Sequence, residues 1–170
     1  MIFNIDNLKA KASGKKKKFI SVVEKVSKMK GKNVDSLFHD LHYKEFQKIN
    51  CLDCANCCKS LGPRLTNKDL ERLSTYLRMK NSEFSDKYIL VDEDKDYVFK
   101  SIPCPFLLED NYCSVYPSRP KACRAYPHTD QNNINAIMKI CMRNTETCPV
   151  VYNIFNRLDE GGQPQFPKAT

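Results

Sequence analysis

The chain has 170 residues, 41% of them hydrophobic, and a formal net charge of +8 at pH 7, which suits one domain with a modest core. No run of about 18 apolar residues occurs, so the sequence predicts no membrane-spanning helix. The N-terminus also lacks the apolar segment of a secretory signal peptide, and we therefore expect a cytoplasmic protein.

Most of the positive charge lies in residues 1–48, which carry 12 lysines and five acidic residues. Lys15–Lys18 is the densest run. We interpret the segment as a basic helical leader whose charge could attract an acidic partner or nucleic acid. The alternative is a solvated leader that aids solubility, since lysines without interleaved arginine and aromatic residues are a weak nucleic-acid signal.

Two helices are predicted in this leader, after an irregular segment over residues 1–14. Apolar residues at helical spacing predict a first helix at about 15–30 and a second at about 34–48. His39 and His42 lie three residues apart on the second helix, a spacing that could bring two imidazoles to one metal. Because cysteines are abundant, we interpret both as partly exposed helical histidines.

Beyond the leader, residues 49–158 are predicted to form a domain that contains the cysteines. It begins with CLDCANCC at residues 51–58, which we interpret as a tight loop that carries metal ligands. A helix is expected next, at about 67–79. Thr66 and Asp69 have the spacing of a capping box at the start of this helix.

A β-hairpin is predicted over residues 102–116, where two short apolar arms flank a Glu109–Asn111 turn. The hairpin would carry Cys104 and Cys113 on facing arms. Residues 97–100 could form a further strand.

Two more helices are predicted at about 133–143 and 150–158, followed by a disordered tail over 159–170. Cys141 lies within the first of these helices, and Cys148 lies just before the second. The predicted fold class is therefore α+β in a single small domain. It is mostly helical, with irregular metal-stabilised loops and a small β-hairpin.

Nine cysteines in a chain of this length indicate either disulfides or metal. Thiols stay reduced in the cytosol, and an odd number cannot close fully into intramolecular disulfides. Cys51, Cys54 and Cys57 repeat a CxxC step, which lets three thiolates point at one metal. We expect metal binding, with disulfides or inert buried thiols as the alternative.

Cys57 and Cys58 are adjacent, and neighbouring side chains diverge in an extended chain. We expect one of them to join Cys51 and Cys54 and the other to face the later cysteines. This predicts two sites, or one site and a buried thiol. Two closed sites of four thiolates need eight cysteines, and Cys141 is the expected spare because it lies mid-helix.

Zinc and an iron–sulfur cluster both fit ligation by sulfur alone. The compact CxxCxxC run favours a [4Fe–4S] cluster, which bacterial ferredoxins hold with a similar run and a distant cysteine. Arg119 and Arg124 lie beside Cys123 and could donate hydrogen bonds to the sulfurs of a bound cofactor. They could equally be ordinary surface residues near a turn.

Three motifs in order, CLDCANCC, CPFL and CSVYPSRPKACRAYP, resemble the YkgJ-type cysteine-cluster family over residues 49–151. That family is described as zinc- or iron-chelating and has a CxxCxxCC signature. The resemblance implies eight metal ligands: Cys51, Cys54, Cys57, Cys58, Cys104, Cys113, Cys123 and Cys148. Cys141 has no clear counterpart in the family.

The same cysteine-cluster domain is similar to one found in flagellin lysine N-methylases, which would use S-adenosylmethionine. This chain shows no GxGxxG-like loop for a methyl donor. Two functions remain: a metal-binding protein without its own substrate, or a small metal-dependent enzyme or accessory related to lysine N-methylases. Closed sites of four cysteines would favour the first function, and an open coordination position the second.

Overall fold

The computed structural model describes residues 7–161, in which the fold is mostly helical with a two-stranded antiparallel sheet, as the sequence predicts. The chain divides into two compact units. The helical unit comprises the described residues of Met1–Asn50 and Pro127–Thr170, and the cysteine unit comprises Cys51–Tyr126. Most of the predicted tail lies outside the described residues.

Of the described elements, the two strands and the shortest helices belong to the cysteine unit, whereas the longest helices belong to the helical unit. The two strands are β1 (Ile89–Val91) and β2 (Tyr97–Phe99). The α-helices of the described residues are, in chain order, α1 (Leu8–Gly14), α2 (Lys16–Ser27), α3 (Gly31–Phe46), α4 (Cys51–Cys54), α5 (Asn56–Ser60), α6 (Asn67–Tyr76), α7 (Asn81–Tyr88), α8 (Lys121–Ala125), α9 (Ile134–Asn144) and α10 (Pro149–Asp159). Within residues 7–161, no helix is both long enough and apolar enough to cross a membrane.

The core of the helical unit forms where α2 and α3 pack against α9 and α10. Phe19 of α2 meets the rings of Tyr152 and Phe155 of α10 edge-on, with centroid distances of 5.7 and 5.5 Å. Phe38 of α3 meets Phe155 in the same way. The apolar stripes that predicted α2 and α3 are therefore the faces that build this core.

The prediction of an irregular segment over residues 1–14 is wrong for the part that the structure describes, because Leu8–Gly14 is helical. Leu8 and Ala12, four residues apart, place both apolar side chains on one buried face of α1. The lysine run that follows also takes part in packing. Lys15 donates to Asn156 of α10, and Lys18 forms an ion pair with Asp159 at 3.8 Å.

Polar side chains of α3 hold the chain that leads into α9. Asp35 accepts hydrogen bonds from two backbone N–H groups at the start of α9, both at 2.9 Å, and these bonds lower the pKa of its carboxyl group. Nε2 of His39 donates to the carbonyl oxygen of Gln131 at 2.9 Å. Nδ1 of His42 lies 2.8 Å from Oγ1 of Thr129. Both histidines are half-buried and join parts of the helical unit.

The sheet of the cysteine unit lies earlier in the chain than the predicted hairpin. Ile89 pairs with Phe99 and Val91 with Tyr97, and the turn between the strands is residues 92–96. In the region 102–116 the structure has an isolated bridge between Leu107 and Cys113 in place of two arms. The proline-rich sequence there limits ladder pairing, because proline lacks a backbone N–H donor.

Aromatic side chains form the core of the cysteine unit. The ring of Phe106 contacts those of Phe84, Tyr88 and Phe99, and the rings of Phe84 and Tyr88 also contact each other. Other buried members of this cluster are Leu65, Leu70, Leu73, Ile89 and Val115. Cys104 and Cys113 pack against the cluster as partly buried residues. The apolar core thus fixes the chain on both sides of these two cysteines.

The predicted capping box at the start of α6 is confirmed. Thr66 donates to Oδ2 of Asp69 through its backbone N–H at 2.9 Å and its hydroxyl at 2.8 Å, and Oγ1 of Thr66 accepts from the backbone N–H of Asp69 at 3.2 Å. Asp69 is only 1% exposed. A cap this deeply buried needs further donors to compensate its charge.

Those donors come from Arg72 and from the chain before α8. Oδ1 of Asp69 accepts from the Arg72 guanidinium at 2.6 Å and from the backbone N–H of Lys121 at 2.9 Å. Arg72 also donates to the carbonyl oxygen of Arg119 at 2.8 Å. We use the name Asp69 network for these hydrogen bonds and the groups that they join, which are Asp69, Thr66, Arg72 and the Lys121 backbone. It ties α6 to the segment that precedes Cys123.

We expect Asp69→Asn to destabilise the protein above about pH 4. Burial alone would raise the pKa of Asp69, but hydrogen bonds from Thr66, Lys121 and Arg72 outweigh burial and lower the pKa to about 2. Relative to an unfolded pKa of about 3.9, the ionised group contributes about 2–3 kcal/mol. Because the folded pKa is the lower one, this contribution is present above pH 4 and is lost as the pH falls toward 2.

The measurement is the free energy of unfolding in urea between pH 2 and pH 7. The difference between wild type and Asp69→Asn should shrink steadily below pH 4. Asp40→Asn is the control, because Asp40 is exposed and pairs with Lys44 one helical turn away at 2.7 Å. A pH-independent difference for Asp69→Asn would contradict the assigned role of its charge.

Candidate metal centre

The CLDCANCC segment forms two short helices, and the prediction of a loop is wrong. Cys51–Cys54 makes α4, and Asn56–Ser60 makes α5. Between them Ala55 has a φ of 46°, in the left-handed region, and its backbone N–H donates to the carbonyl oxygen of Cys51 at 2.7 Å. This residue ends one helical turn and starts the next, so helical geometry sets the spacing of the cysteines.

Cys57 and Cys58 lie close together at their sulfur atoms, which are 3.9 Å apart. The premise of an extended chain, in which the two would diverge, is wrong because both residues belong to α5. Four thiolates about 2.3 Å from a tetrahedral zinc ion lie about 3.8 Å from one another. The pair therefore already has the separation of two ligands of one ion.

Cys58 also meets the later cysteines. The backbone N–H of Cys104 donates to the carbonyl oxygen of Cys58 at 2.9 Å. A second link joins the same parts of the chain, because the Asn111 side chain donates to the carbonyl oxygen of Leu52 at 2.7 Å. These hydrogen bonds hold α4 and α5 beside the segment that carries Cys104 and Cys113.

Seven of the eight predicted ligands belong to the cysteine unit: Cys51, Cys54, Cys57, Cys58, Cys104, Cys113 and Cys123. No disulfide links the cysteines within residues 7–161. In the same residues, no three His, Cys, Asp or Glu side chains are already arranged to hold a metal ion. The donor types and their number fit a thiolate-bound metal, and binding would require some side chains to reorient.

Cys141 and Cys148 belong to the helical unit. Cys141 is fully buried on α9, where Ile134 and Met138 are also buried, and its Sγ lies 3.9 Å from the carbonyl oxygen of His128. Burial raises the pKa of the Cys141 thiol to about 11. Cys148 is buried at the N-cap of α10. Its assignment as a ligand stays a prediction.

The electrostatic environment of the sulfurs makes it unfavourable for several cysteines to be thiolates at the same time. Burial, followed by the charges of neighbouring thiols, raises the pKa of Cys123 to about 12, and burial raises that of Cys104 to about 11. Cys58 differs, because its hydrogen bond with Cys57 and then the charge of Arg119 outweigh burial and lower its pKa to about 7. A bound cation would favour the thiolate form throughout such a cluster.

Arg119 supplies a positive charge among these thiols. Its guanidinium lies over the Tyr116 ring, 3.7 Å from the centroid. Within the described part of the chain, its Nε is buried and has no hydrogen-bond partner. A buried cationic donor of this kind suits an anionic sulfur acceptor. The charge of Arg119 acts on four of the thiols, those of Cys51, Cys58, Cys113 and Cys123.

Arg124 is exposed and donates to the carbonyl oxygen of Arg119 at 2.8 Å. That carbonyl also accepts from Arg72, so two guanidinium groups hold the Arg119 backbone. The predicted contact of Arg124 with a cofactor stays a prediction. Sequence reasoning missed Arg72 and Tyr116; a basic residue three positions after the Asp69 cap was the signal for the first.

The comparisons with known proteins agree with the donor set. Residues 50–142 match the CxxCxxCC family, described as a "putative zinc- or iron-chelating domain". The matched region contains the seven cysteines of the cysteine unit and Cys141, and it ends before Cys148.

The chain is also similar to the uncharacterized protein MJ0661 of Methanocaldococcus jannaschii, with 31% identity over 88 residues. The alignment covers 48% of this chain and 46% of that protein, so the chain spans about half the length of this relative. No solved structure matches. Since the family match covers more than half of the residues, the chain belongs to the CxxCxxCC family.

Proposed function

We propose that the cysteine unit binds a metal through its cysteine thiolates, with zinc as the preferred ion. The observation that carries the proposal is the presence of seven thiols in one compact unit with Arg119, whose Nε is buried and whose charge acts on four of them. The donor set is sulfur alone, which suits zinc or an iron–sulfur cluster. The separation of 3.9 Å between the sulfurs of Cys57 and Cys58 favours zinc, because it matches two ligands of one tetrahedral ion.

The bound metal would cross-link parts of the chain that have little regular structure. Cys57 and Cys58 lie on a helix of five residues, as does Cys123, while Cys104 and Cys113 lie outside the helices and paired strands. Helices this short are marginal without tertiary support. Metal–thiolate bonds would provide that support, and reduced thiols suit a reducing compartment such as the cytoplasm.

Removal of the metal should therefore lower the melting temperature sharply. Structural zinc contributes about 10 kcal/mol or more to folding in small domains, because the binding free energy is also folding free energy. The measurement is calorimetry of the anaerobically purified protein before and after chelation, with elemental analysis to verify removal and a readdition step. An unchanged melting curve after verified removal would exclude a structural metal.

Substitution of single cysteines should distinguish metal ligands from a buried cysteine that binds no metal. We expect Cys113→Ser to lower the metal content, since Cys113 lies among the other thiols of the cysteine unit. Cys141→Ser is the matched control: it should keep the full metal content and lose on the order of 1 kcal/mol of stability, as a small buried residue made polar. Elemental analysis and a UV-visible spectrum would measure metal content and reveal any iron–sulfur cluster.

Arg119→Gln should weaken zinc binding by about 10–100-fold, the usual cost of losing a group that hydrogen-bonds to a ligand. Arg119→Lys should recover little of this loss, because lysine keeps the charge but lacks the planar Nε–H donor. Competition with a chromophoric chelator measures the dissociation constant. Arg124→Gln is the control with an exposed guanidinium. Equal affinity of all three variants and wild type would rule out a role for Arg119 at the sulfurs.

A further inference from the structure

The number of thiols in the cysteine unit raises a question of ligand count. One tetrahedral ion needs four thiolates, and two separate ions need eight. The unit has seven. Seven thiolates can complete the tetrahedral coordination of two ions if one sulfur binds both. Since this count concerns metal binding, the inference below rests on the proposed function.

The seven cysteines fall into two triplets and one residue between them. The first triplet, on or beside α4 and α5, is Cys51, Cys54 and Cys57. The second triplet, from the later segments, is Cys104, Cys113 and Cys123. Each triplet is one ligand short of a closed tetrahedral site.

Cys58 contacts a member of each triplet. Its sulfur lies 3.9 Å from that of Cys57 in the first triplet. Its carbonyl oxygen accepts the backbone N–H of Cys104 in the second triplet at 2.9 Å. The thiol of Cys58 interacts electrostatically with that of Cys51 and with those of the whole second triplet.

We propose that the cysteine unit binds a pair of tetrahedral zinc ions, with the thiolate of Cys58 bridging them. Each triplet supplies the other three ligands of one ion. Two divalent ions and seven thiolates leave a net negative charge. Arg119 offsets part of it, because its guanidinium acts on Cys58 and on members of both triplets.

This arrangement does not need Cys148. The resemblance to the cysteine-cluster family implies Cys148 as an eighth ligand, which would let two ions bind without a shared sulfur. Cys148→Ser therefore distinguishes the two arrangements. With a bridging Cys58, this variant still binds two ions per chain.

The test is anaerobic titration of the apo protein with Zn²⁺, followed by elemental analysis after desalting. We expect two ions per chain in wild type and in Cys148→Ser. Cys51→Ser and Cys123→Ser should each retain one ion, because the other triplet still has Cys58. Cys58→Ser should lose both tightly bound ions.

A measurement on the wild-type protein tests the bridge even if a variant fails to fold. Titration with Co²⁺ should first raise the high-spin Co²⁺ electron paramagnetic resonance signal and then lower it as the second ion binds, because a shared thiolate couples the two spins. A signal that rises linearly to two ions would overturn the bridge.

The remaining outcomes separate this inference from the proposed function. One ion per chain, an iron–sulfur cluster, or loss of an ion in Cys148→Ser would overturn the bridged pair while metal binding by thiolates survives. Wild-type protein that binds neither Zn²⁺ nor Co²⁺ would overturn both.

Discussion

One buried carboxylate, that of Asp69, holds the segment before Cys123 against α6. A buried charge is unfavourable unless hydrogen bonds compensate it, and Asp69 receives them from Thr66, Arg72 and the backbone of Lys121. The last donor belongs to a segment with no long helix of its own. Because the Asp69 network holds this segment against α6, the position of Arg119 is determined by tertiary contacts rather than by local propensity.

The carboxylate of Asp69 also affects the cysteine thiols indirectly, through the position of Arg119. Burial raises the pKa of Cys104 and Cys123, so their thiolates are costly without a nearby cation. Arg119 is one such cation, and its Nε is a buried donor without a partner in the described residues. A metal ion would supply the larger charge. The Asp69 network thus holds Arg119 near the thiols of Cys51, Cys58, Cys113 and Cys123, where its positive charge favours their deprotonated form.

The long helices of the fold and the short strand β2 could be predicted from the sequence, whereas most other short elements could not. The helices α2, α3, α6, α9 and α10 were located because they repeat an apolar face over several turns or carry a capping box. In contrast, α1 spans seven residues and β1 three, directly after α7. Such elements contain too few residues to show a period, and packing against the rest of their unit decides their conformation.

Part of the candidate site could likewise be predicted from the sequence, and part of it could not. Spacing along the chain predicts the cysteines as ligands, and proximity to Cys123 in sequence predicts Arg119 as a donor to them; both assignments stay predictions. The left-handed conformation of Ala55 could not be foreseen, because alanine rarely adopts a positive φ. That conformation separates α4 from α5, and within α5 the sulfurs of Cys57 and Cys58 lie 3.9 Å apart. Spacing alone therefore favoured separate roles for the two cysteines, whereas the fold makes Cys58 a neighbour of both triplets.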